Sequence, residues 1–190
     1  MNTQEEITKI PAATVLVIDL EATCSEDESI TGLNMEIIEI GAVWINPKGE
    51  ILDTFQSFVR PIVNRVLTPF CTELTAITQH QVDGAMTFDQ VAPLLQTFAM
   101  KHTSAESIWA SWGNYDRAQF EHDSHRHKVE NPVAHLPHAN LKKLFAKQRK
   151  IKRVGMMAAL QITGIEHAGK CHRALDDASN IAKLVSVING

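Results

Sequence analysis

Acidic residues able to hold a metal stand in three short segments far apart in the chain: Asp19 and Glu21 in VLVIDLEATC, Asp116 in SWGNYD, and Asp177 in HRALDDA, behind His172. The first pair ends an apolar run, 15–20, that reads as a buried strand, and alternation puts Asp19 and Glu21 on one face of it. Carboxylates there are costly without a counter-charge. Four acids and a histidine gathered in one place repel one another unless a cation neutralises them, and Mg2+ and Mn2+ are hard cations that prefer oxygen ligands. Hydrolysing a phosphodiester by in-line displacement needs an activated water and stabilisation of charge on the nonbridging and leaving oxygens. Two metal ions about 3.5–4 Å apart meet the latter needs and position the water. The expected arrangement has Asp19 shared by both ions, Glu21 and Asp177 completing the shell of one, and Asp116 serving the other directly or through water. His172 is left for proton transfer, because a histidine titrating at about pH 6.5 is largely neutral above neutral pH and can accept a proton from the attacking water. The chain therefore reads as a phosphodiesterase using two divalent ions, Mg2+ or Mn2+.

Taken singly, each feature has a plainer reading. An Asp-x-Glu at a strand end is common, Asp116 fits the acidic first turn of a helix, Asp177 fits the surface of an amphipathic helix, and His172 fits a cap or a packing residue. Their order, contexts and spacing are far more specific together than any one alone.

The elements that must position these groups follow from pattern. A polar tail is expected over 1–10, ahead of one domain over 11–190. The first strand covers 13–21 and is followed by the polar loop SEDESITG. MEIIEIGAVWIN and ILDTFQSFVRP flank Pro47-Lys48-Gly49, which reads as the turn of an antiparallel hairpin. The opening is thus a three-stranded unit. PFCTELT reads as a short helix, and capping boxes fit Thr78 to Gln81 and Thr87 to Gln90, the second before FDQVAPLLQTFAM, where Pro93 should kink or delay the helix. SIWASW reads as a fourth strand ended by Gly113, with Asn114 placed to cap a helix whose positive end carries Asp116. HANL reads as a weak strand, LKKLFAKQRK and VGMMAALQITG as helices, and 173–187 as a final helix. Strands first and then strands alternating with helices favour a mixed sheet with helices on its faces.

Composition sets the outer limits. The 190 residues, 44% of them hydrophobic, suffice for one core. A formal net charge of -4 argues against strong nonspecific duplex binding. No stretch approaches a membrane span and the N-terminus is polar and acidic, so no membrane partner and a cytoplasmic location are expected. Cys24, Cys71 and Cys171 form no paired motif and are expected as reduced thiols. His122, His125, His127, His135 and His138 make a loose cluster without zinc-site spacing. Lys142, Lys143, Lys147, Arg149, Lys150, Lys152 and Arg153 form the one dense basic segment, readable as a track for phosphates or as a solvated helix face.

DLEATC, SWGNYD and HRALDDA resemble the three motifs of the DEDDh family of 3'-to-5' exonucleases, with histidine rather than tyrosine in the third. The likeness covers nearly the whole chain, and IIEIGAVWIN, FCTELTAIT and LDDASNIA are similar to its Eri-type branch, which trims RNA 3' ends. The resemblance implies a ribonuclease H-like α/β fold: a mixed five-stranded sheet, a three-stranded antiparallel opening plus parallel strands, with helices on both faces. It also implies that Asp19, Glu21, Asp116 and Asp177 are metal ligands, that His172 is the general base, and that single-stranded 3' ends, RNA rather than DNA, are the substrate. On the same basis Leu74 and Ile77 wedge against the terminal base, and Ala22 and Thr23 meet the 3'-hydroxyl end; Trp112, beside the second motif, is a candidate for contact with a base, and Asn114 is a candidate substrate-binding residue. Core packing is the plainer role for Leu74, Ile77 and Trp112. Some relatives pair as homodimers. Two positions depart from the family pattern: Ala76 stands where glycine is common, so a positive φ there would be strained, and Asn114 stands where an acid is frequent. A DNA or short-oligonucleotide exonuclease, and an inert RNA-binding module of the same fold, are the alternatives.

Overall fold

The first strand is apolar on both faces until it reaches Asp19, so it must be covered from both sides. The computed structural model describes residues 7–189. Its strands are β1 (Val15–Ala22), β2 (Ile37–Ile45), β3 (Ile51–Phe58), β4 (Ile108–Ser111) and β5 (His138–Asn140), and its helices are α1 (Pro69–Thr75), α2 (Gln79–Asp83), α3 (Phe88–Met100), α4 (Tyr115–His127), α5 (Leu141–Arg149), α6 (Met156–Thr163) and α7 (Ala174–Asn189). Leu16, Ile18 and Leu20 pack with Trp44 against Val91, Leu95 and Phe98 of α3 and Phe120 of α4. Val15 and Val17, on the alternate face, pack against Ala178, Ile181 and Val185 of α7 and Leu144 of α5. Each such aliphatic side chain, fully buried, contributes about 1.5–3 kcal/mol. The period of two then carries Asp19 and Glu21 onto the α7 face.

The five strands lie in the order β3-β2-β1-β4-β5, so β1 is central. β1 and β2 are antiparallel, as are β2 and β3, while β4 runs parallel to β1 and β5 parallel to β4. This is the mixed five-stranded arrangement expected from the sequence, with helices on both faces. The β2–β3 hairpin turns at Gly49, whose φ is 82° and whose N–H donates to the Asn46 carbonyl at 2.9 Å. The Asn46 side chain accepts from the backbone of Lys48 and Glu50.

Two local expectations are refined and one is met. α3 begins directly after Thr87 with Pro93 inside it, so the proline does not delay the helix. The expected capping box before α2 forms, Gln81 Oε1 accepting from the Thr78 N–H at 2.8 Å. Asn114 occupies the N-cap position of α4 but makes no capping bond, because its Oδ1 accepts instead from Asn140 Nδ2 at 2.8 Å. Of the tail expected over 1–10, residues 1–6 lie outside the described residues; Ile10 is buried in the α7-side cluster and Ile7 packs against it. No helix among the described residues is long and apolar enough to cross a membrane.

The register places Gly41 opposite Asp19 and Glu39 opposite Glu21. Above Gly41 lies the first turn of α7: a Cβ added there would stand 2.1 Å from the Ala174 carbonyl carbon and 2.2 Å from the Leu175 nitrogen. Only glycine allows this approach, which brings α7 down onto the sheet beside the acidic pair. At the end of α1, Ala76 has φ 55° and ψ 21°, the left-handed conformation that glycine adopts without a Cβ penalty.

Two substitutions test these backbone features in opposite directions. Gly41→Ala should lift α7 and destabilise the fold by at least about 1–3 kcal/mol. Thermal unfolding would then begin several degrees lower, at roughly 2–4 °C per kcal/mol; an unchanged melt would mean that α7 does not rest on this strand. Ala76→Gly should relieve about 1–2 kcal/mol of left-handed strain against about 0.5–1 kcal/mol of added chain entropy, raising the melting temperature slightly. A fall on the same measurement would reject strain at Ala76.

Candidate active site

Each acid is brought to the site by a different element and held by a different bond. Asp19 and Glu21 come from the end of β1. Asp116 sits in the first turn of α4, and its Oδ1 accepts from the Leu20 N–H at 3.1 Å, tying that turn to β1 between the other two acids. Asp177 sits in the first turn of α7, and its Oδ2 accepts from the His172 N–H at 3.0 Å. Its other oxygen is buried and without a hydrogen bond, since His167 Nε2 stands 3.6 Å away, beyond bonding distance. Glu21, Asp116 and Asp177 are buried, while Asp19 opens partly to the cavity.

The start of α7 is fixed by a residue the motif reading passed over. Glu39, fully buried on β2, accepts from Arg173 Nε at 3.0 Å and Nη2 at 2.8 Å, from the Ala174 N–H at 3.1 Å, and from Gln56 Nε2 at 2.6 Å. The Arg173 guanidinium also lies over the Phe58 ring, 5.4 Å from its centre. One carboxylate thus satisfies an orphan helix donor and pins the residue next to His172. His172 itself is exposed, with φ 58°, and its ring borders the cavity.

The electrostatic consequence is a set of acids that resist ionisation. Burial, then the charges of Asp116, Glu21, Asp177 and Glu39, push Asp19 well above the usual carboxylate range. Burial and the charges of Asp177, Glu39 and Asp116 raise Glu21 from 4.5 to about 8, against the pull of Arg173. Asp116 rises to about 6 through burial, opposed by hydrogen bonds from Ser111 and the Leu20 backbone. Asp177 is raised by burial, opposed by the His172 backbone bond. Glu21, His172 and Asp177 present ligand atoms within 4.8 Å of one another. Oxygen donors, an orphaned carboxylate oxygen and acids that lack a counter-charge for their ionisation together fit a hard divalent cation.

A model of the Exonuclease family (RNase_T) matches residues 16–185. The chain belongs to the exonuclease family. Its Eri-type DEDDh character is seen in the relatives it matches. It is 34% identical to mouse "3'-5' exoribonuclease 1" over 177 residues, covering 90% of this chain and 51% of that protein. It is 28% identical to "3'-5' exonuclease eri1" of Schizosaccharomyces pombe, covering 90% of this chain and 66% of that protein. Among solved structures, the nuclease domain of 3'hExo, a DEDDh family member bound to rAMP, superposes with a TM-score of 0.83 at 30% identity, covering 95% of this chain and 93% of that one. The chain spans about half the length of the mouse, rat and human relatives it matches. The exonuclease family is divalent-metal dependent, in keeping with the acidic site.

In this member of the exonuclease family the acids and His172 floor a cavity of about 420 Å³. Leu20, Ala22, Met35, Leu74, Trp112, Tyr115, Met156 and Met157 also line it. Of the residues expected to meet substrate, Ala22, Leu74 and Trp112 are therefore in place. Ile77 is not: it is fully buried with Ile38, Leu67, Cys71 and Val82, so of the expected wedge pair only Leu74 lines the cavity. Thr23 is buried too, its hydroxyl accepting from the Glu36 N–H at 3.0 Å, and Asn114 is exposed but turned to Asn140. Trp112 is both packing and lining residue, its ring tilted against Phe145 with centres 5.7 Å apart and its Nε1–H on the Val154 carbonyl at 3.1 Å.

The cavity residues missed from sequence include Met35, Tyr115, Met156 and Met157, and His167 stands beside Asp177. Tyr115 OH approaches Met35 Sδ at 3.9 Å, joining α4 to the loop before β2. The three cysteines are unpaired, and Cys24, beside Cys71, is pushed up to about 12 by burial. The loose histidine group forms no metal cluster among the described residues; His127 meets Asp89 and His138 meets Ser111 instead.

Raised carboxylate pKa values make the metal-free fold weaker as pH rises. Between about 4.5 and 8, Glu21 in the unfolded chain has lost its proton while the folded protein still holds it, so stability is lost across that window. In chelator the melting temperature should fall from pH 5 to pH 8, and Mn2+ should raise it by an increment that grows with pH. A metal increment independent of pH would contradict the shared, proton-holding acidic site.

Proposed function

We propose that this chain is a metal-dependent 3'-to-5' exonuclease that releases nucleoside 5'-monophosphates from single-stranded 3' ends, with RNA as its substrate. The observation that carries the reading is the convergence of Asp19, Glu21, Asp116, Asp177 and His172 on one cavity edged by apolar side chains. The relatives named as 3'-5' exoribonucleases support the choice of RNA. One of the matching structures is described as 3'-end specific recognition of histone mRNA stem-loop by 3'-exonuclease, with a TM-score of 0.84 at 28% identity. We read residues 11–190 as a single exonuclease domain and, from its unpaired cysteines, as a protein of the reducing cytoplasm.

In this reading two divalent ions, Mg2+ or Mn2+, would be held by Asp19, Glu21, Asp116 and Asp177. When bound they supply Lewis-acid stabilisation of the charge that builds up on the phosphate oxygens. The chain's own residues do the remaining work. Leu74 and Trp112 offer apolar surface to the terminal base, and Ala22, at the end of β1, leaves space beside the acids for the sugar. His172 takes a proton from the attacking water. Its place one residue before Arg173 holds it near the site while its exposed ring stays free to accept and then give up that proton. Asp177 accepts from the His172 backbone N–H, so the proton acceptor and one of the acids are tied together.

Asp19→Ala should abolish turnover, and His172→Ala should slow it about 10^2–10^4-fold while metal-induced stabilisation is retained. Equal rates for wild type and His172→Ala from pH 6 to 9 would remove His172 from the mechanism. A 3'-blocked RNA and a circular RNA should both resist, and chelator should stop cleavage of an unblocked strand. Circular RNA cut as fast as linear RNA would make the protein an endonuclease. Competition between matched RNA and DNA ends of several lengths decides the substrate class.

A further inference from the structure

Between residues 141 and 155 the chain carries lysines and arginines and no acid, in a protein whose formal net charge is -4. The structure shows where this segment leads. α5 turns Leu141, Leu144 and Phe145 into the core, so Lys147 and Arg149 face outward. The helix stops at Lys150, whose φ of 56° turns the chain, and 152–155 continue without helix or strand. Lys150, Lys152 and Arg153 are exposed, and none of them enters a salt bridge among the described residues. Directly after them Val154 is tied to Trp112 by the indole bond at 3.1 Å, and Gly155, Met156 and Met157 form part of the cavity wall. The cations therefore lead straight to the cavity's edge. The part of the rim built by α1 has the opposite sign: Leu74 of the cavity wall also borders a neighbouring surface pocket together with Glu26 and Glu73.

From this asymmetry we infer that the nucleotides upstream of the reacting 3' end leave the cavity over the Lys150–Arg153 edge, their phosphates meeting Lys150, Lys152 and Arg153. The inference rests on the exonuclease reading and gives it a direction. A polyanion emerging from the cavity meets repulsion from Glu26 and Glu73 on one side and unpaired cations on the other. From 150 to 155 the chain can span at most roughly 17 Å, which limits the track to the few nucleotides next to the site. Trp112, anchored to the same segment, adds an aromatic face at the point where the strand would enter. Contacts of this kind are made to phosphates, so they set affinity and direction without selecting sequence.

The test compares the wild-type chain with a Lys150→Ala/Lys152→Ala/Arg153→Ala variant, reading both binding of a 12-nucleotide single-stranded RNA in chelator and the kcat/KM ratio of that RNA to a dinucleotide in Mn2+. Loss of three phosphate contacts should flatten the log–log salt dependence of binding by about 2, because each contact on a single strand contributes about 0.7 to the slope. The wild type's advantage should then shrink about 20-fold between 50 and 200 mM salt. The kcat/KM ratio should fall in the variant at low salt. Parallel salt slopes, or an unchanged ratio, would overturn the inference. Charge reversal by Lys152→Glu alone gives an independent check on one exposed side chain, with a weaker slope expected and an unaltered slope counting against the track. Failure of the exonuclease reading looks different: wild type would leave both substrates uncut, whatever the salt slopes show.

Discussion

Four carboxylates crowded into one partly dehydrated corner are the constraint around which the rest is arranged. Left to themselves they would separate, since each raises the cost of ionising its neighbours. The fold prevents separation by spending backbone hydrogen bonds and close packing on them. Asp116 is tied to the Leu20 N–H, Asp177 to the His172 N–H, and the first turn of α7 is pressed onto β2 at Gly41 and clamped by Glu39. These contacts are made by groups that need not touch a substrate. They hold acids where ionisation is unfavourable, so a divalent cation takes the place of their protons and its binding strengthens as pH rises.

The clamp at Glu39 carries a second negative charge close behind the first. Because Glu39 lies opposite Glu21 in the β1–β2 register, its charge adds to the repulsion there, yet Arg173 and the Ala174 N–H absorb most of what it could offer a cation. The outcome is a division between neighbouring acids. Glu39 is saturated with donors and serves position, whereas Asp177 keeps one oxygen without any donor and faces the cavity. Donor saturation separates a structural carboxylate from a candidate ligand here more cleanly than burial does, because both are buried.

Much of this was legible in the chain. Alternation along 15–21 identified the face on which Asp19 and Glu21 lie, since a covered strand leaves no other explanation for a regular period broken by two acids. The Pro/Gly turn, the short α1 and the capping box before α2 were readable because their signals are local. What stayed hidden depended on contacts distant in sequence. Glu39 was visible as a charge in a buried strand, but its partner Arg173 lies 134 residues away and no spacing rule joins them. Ile77 shows the converse: its distance from Leu74 suits one helix face, yet α1 ends at Thr75 and the left-handed turn at Ala76 sends Ile77 inward. Met35, Met156 and Met157 could not be singled out, because a methionine at a cavity wall and one in a core leave the same trace in sequence.

An acidic protein that proposes to grip a polyanion faces an electrostatic contradiction, and the geometry resolves it by locality. At physiological ionic strength charges more than about 8 Å apart across water are largely screened, so net charge governs long-range approach weakly and the groups within reach govern contact. Around this cavity those groups differ by edge, acids beside α1 and unpaired cations after α5. Two divalent cations held by the four acids would neutralise the cavity floor itself. The apolar walls from Leu74 to Met157 then matter electrically as well as sterically: they displace water from the space between floor and strand, and a charge contact in that space is screened less than one on the open surface. The same acids that would repel a polyanion when ionised without a metal would thus cease to do so once they hold one, which couples polyanion binding to metal binding without any moving part.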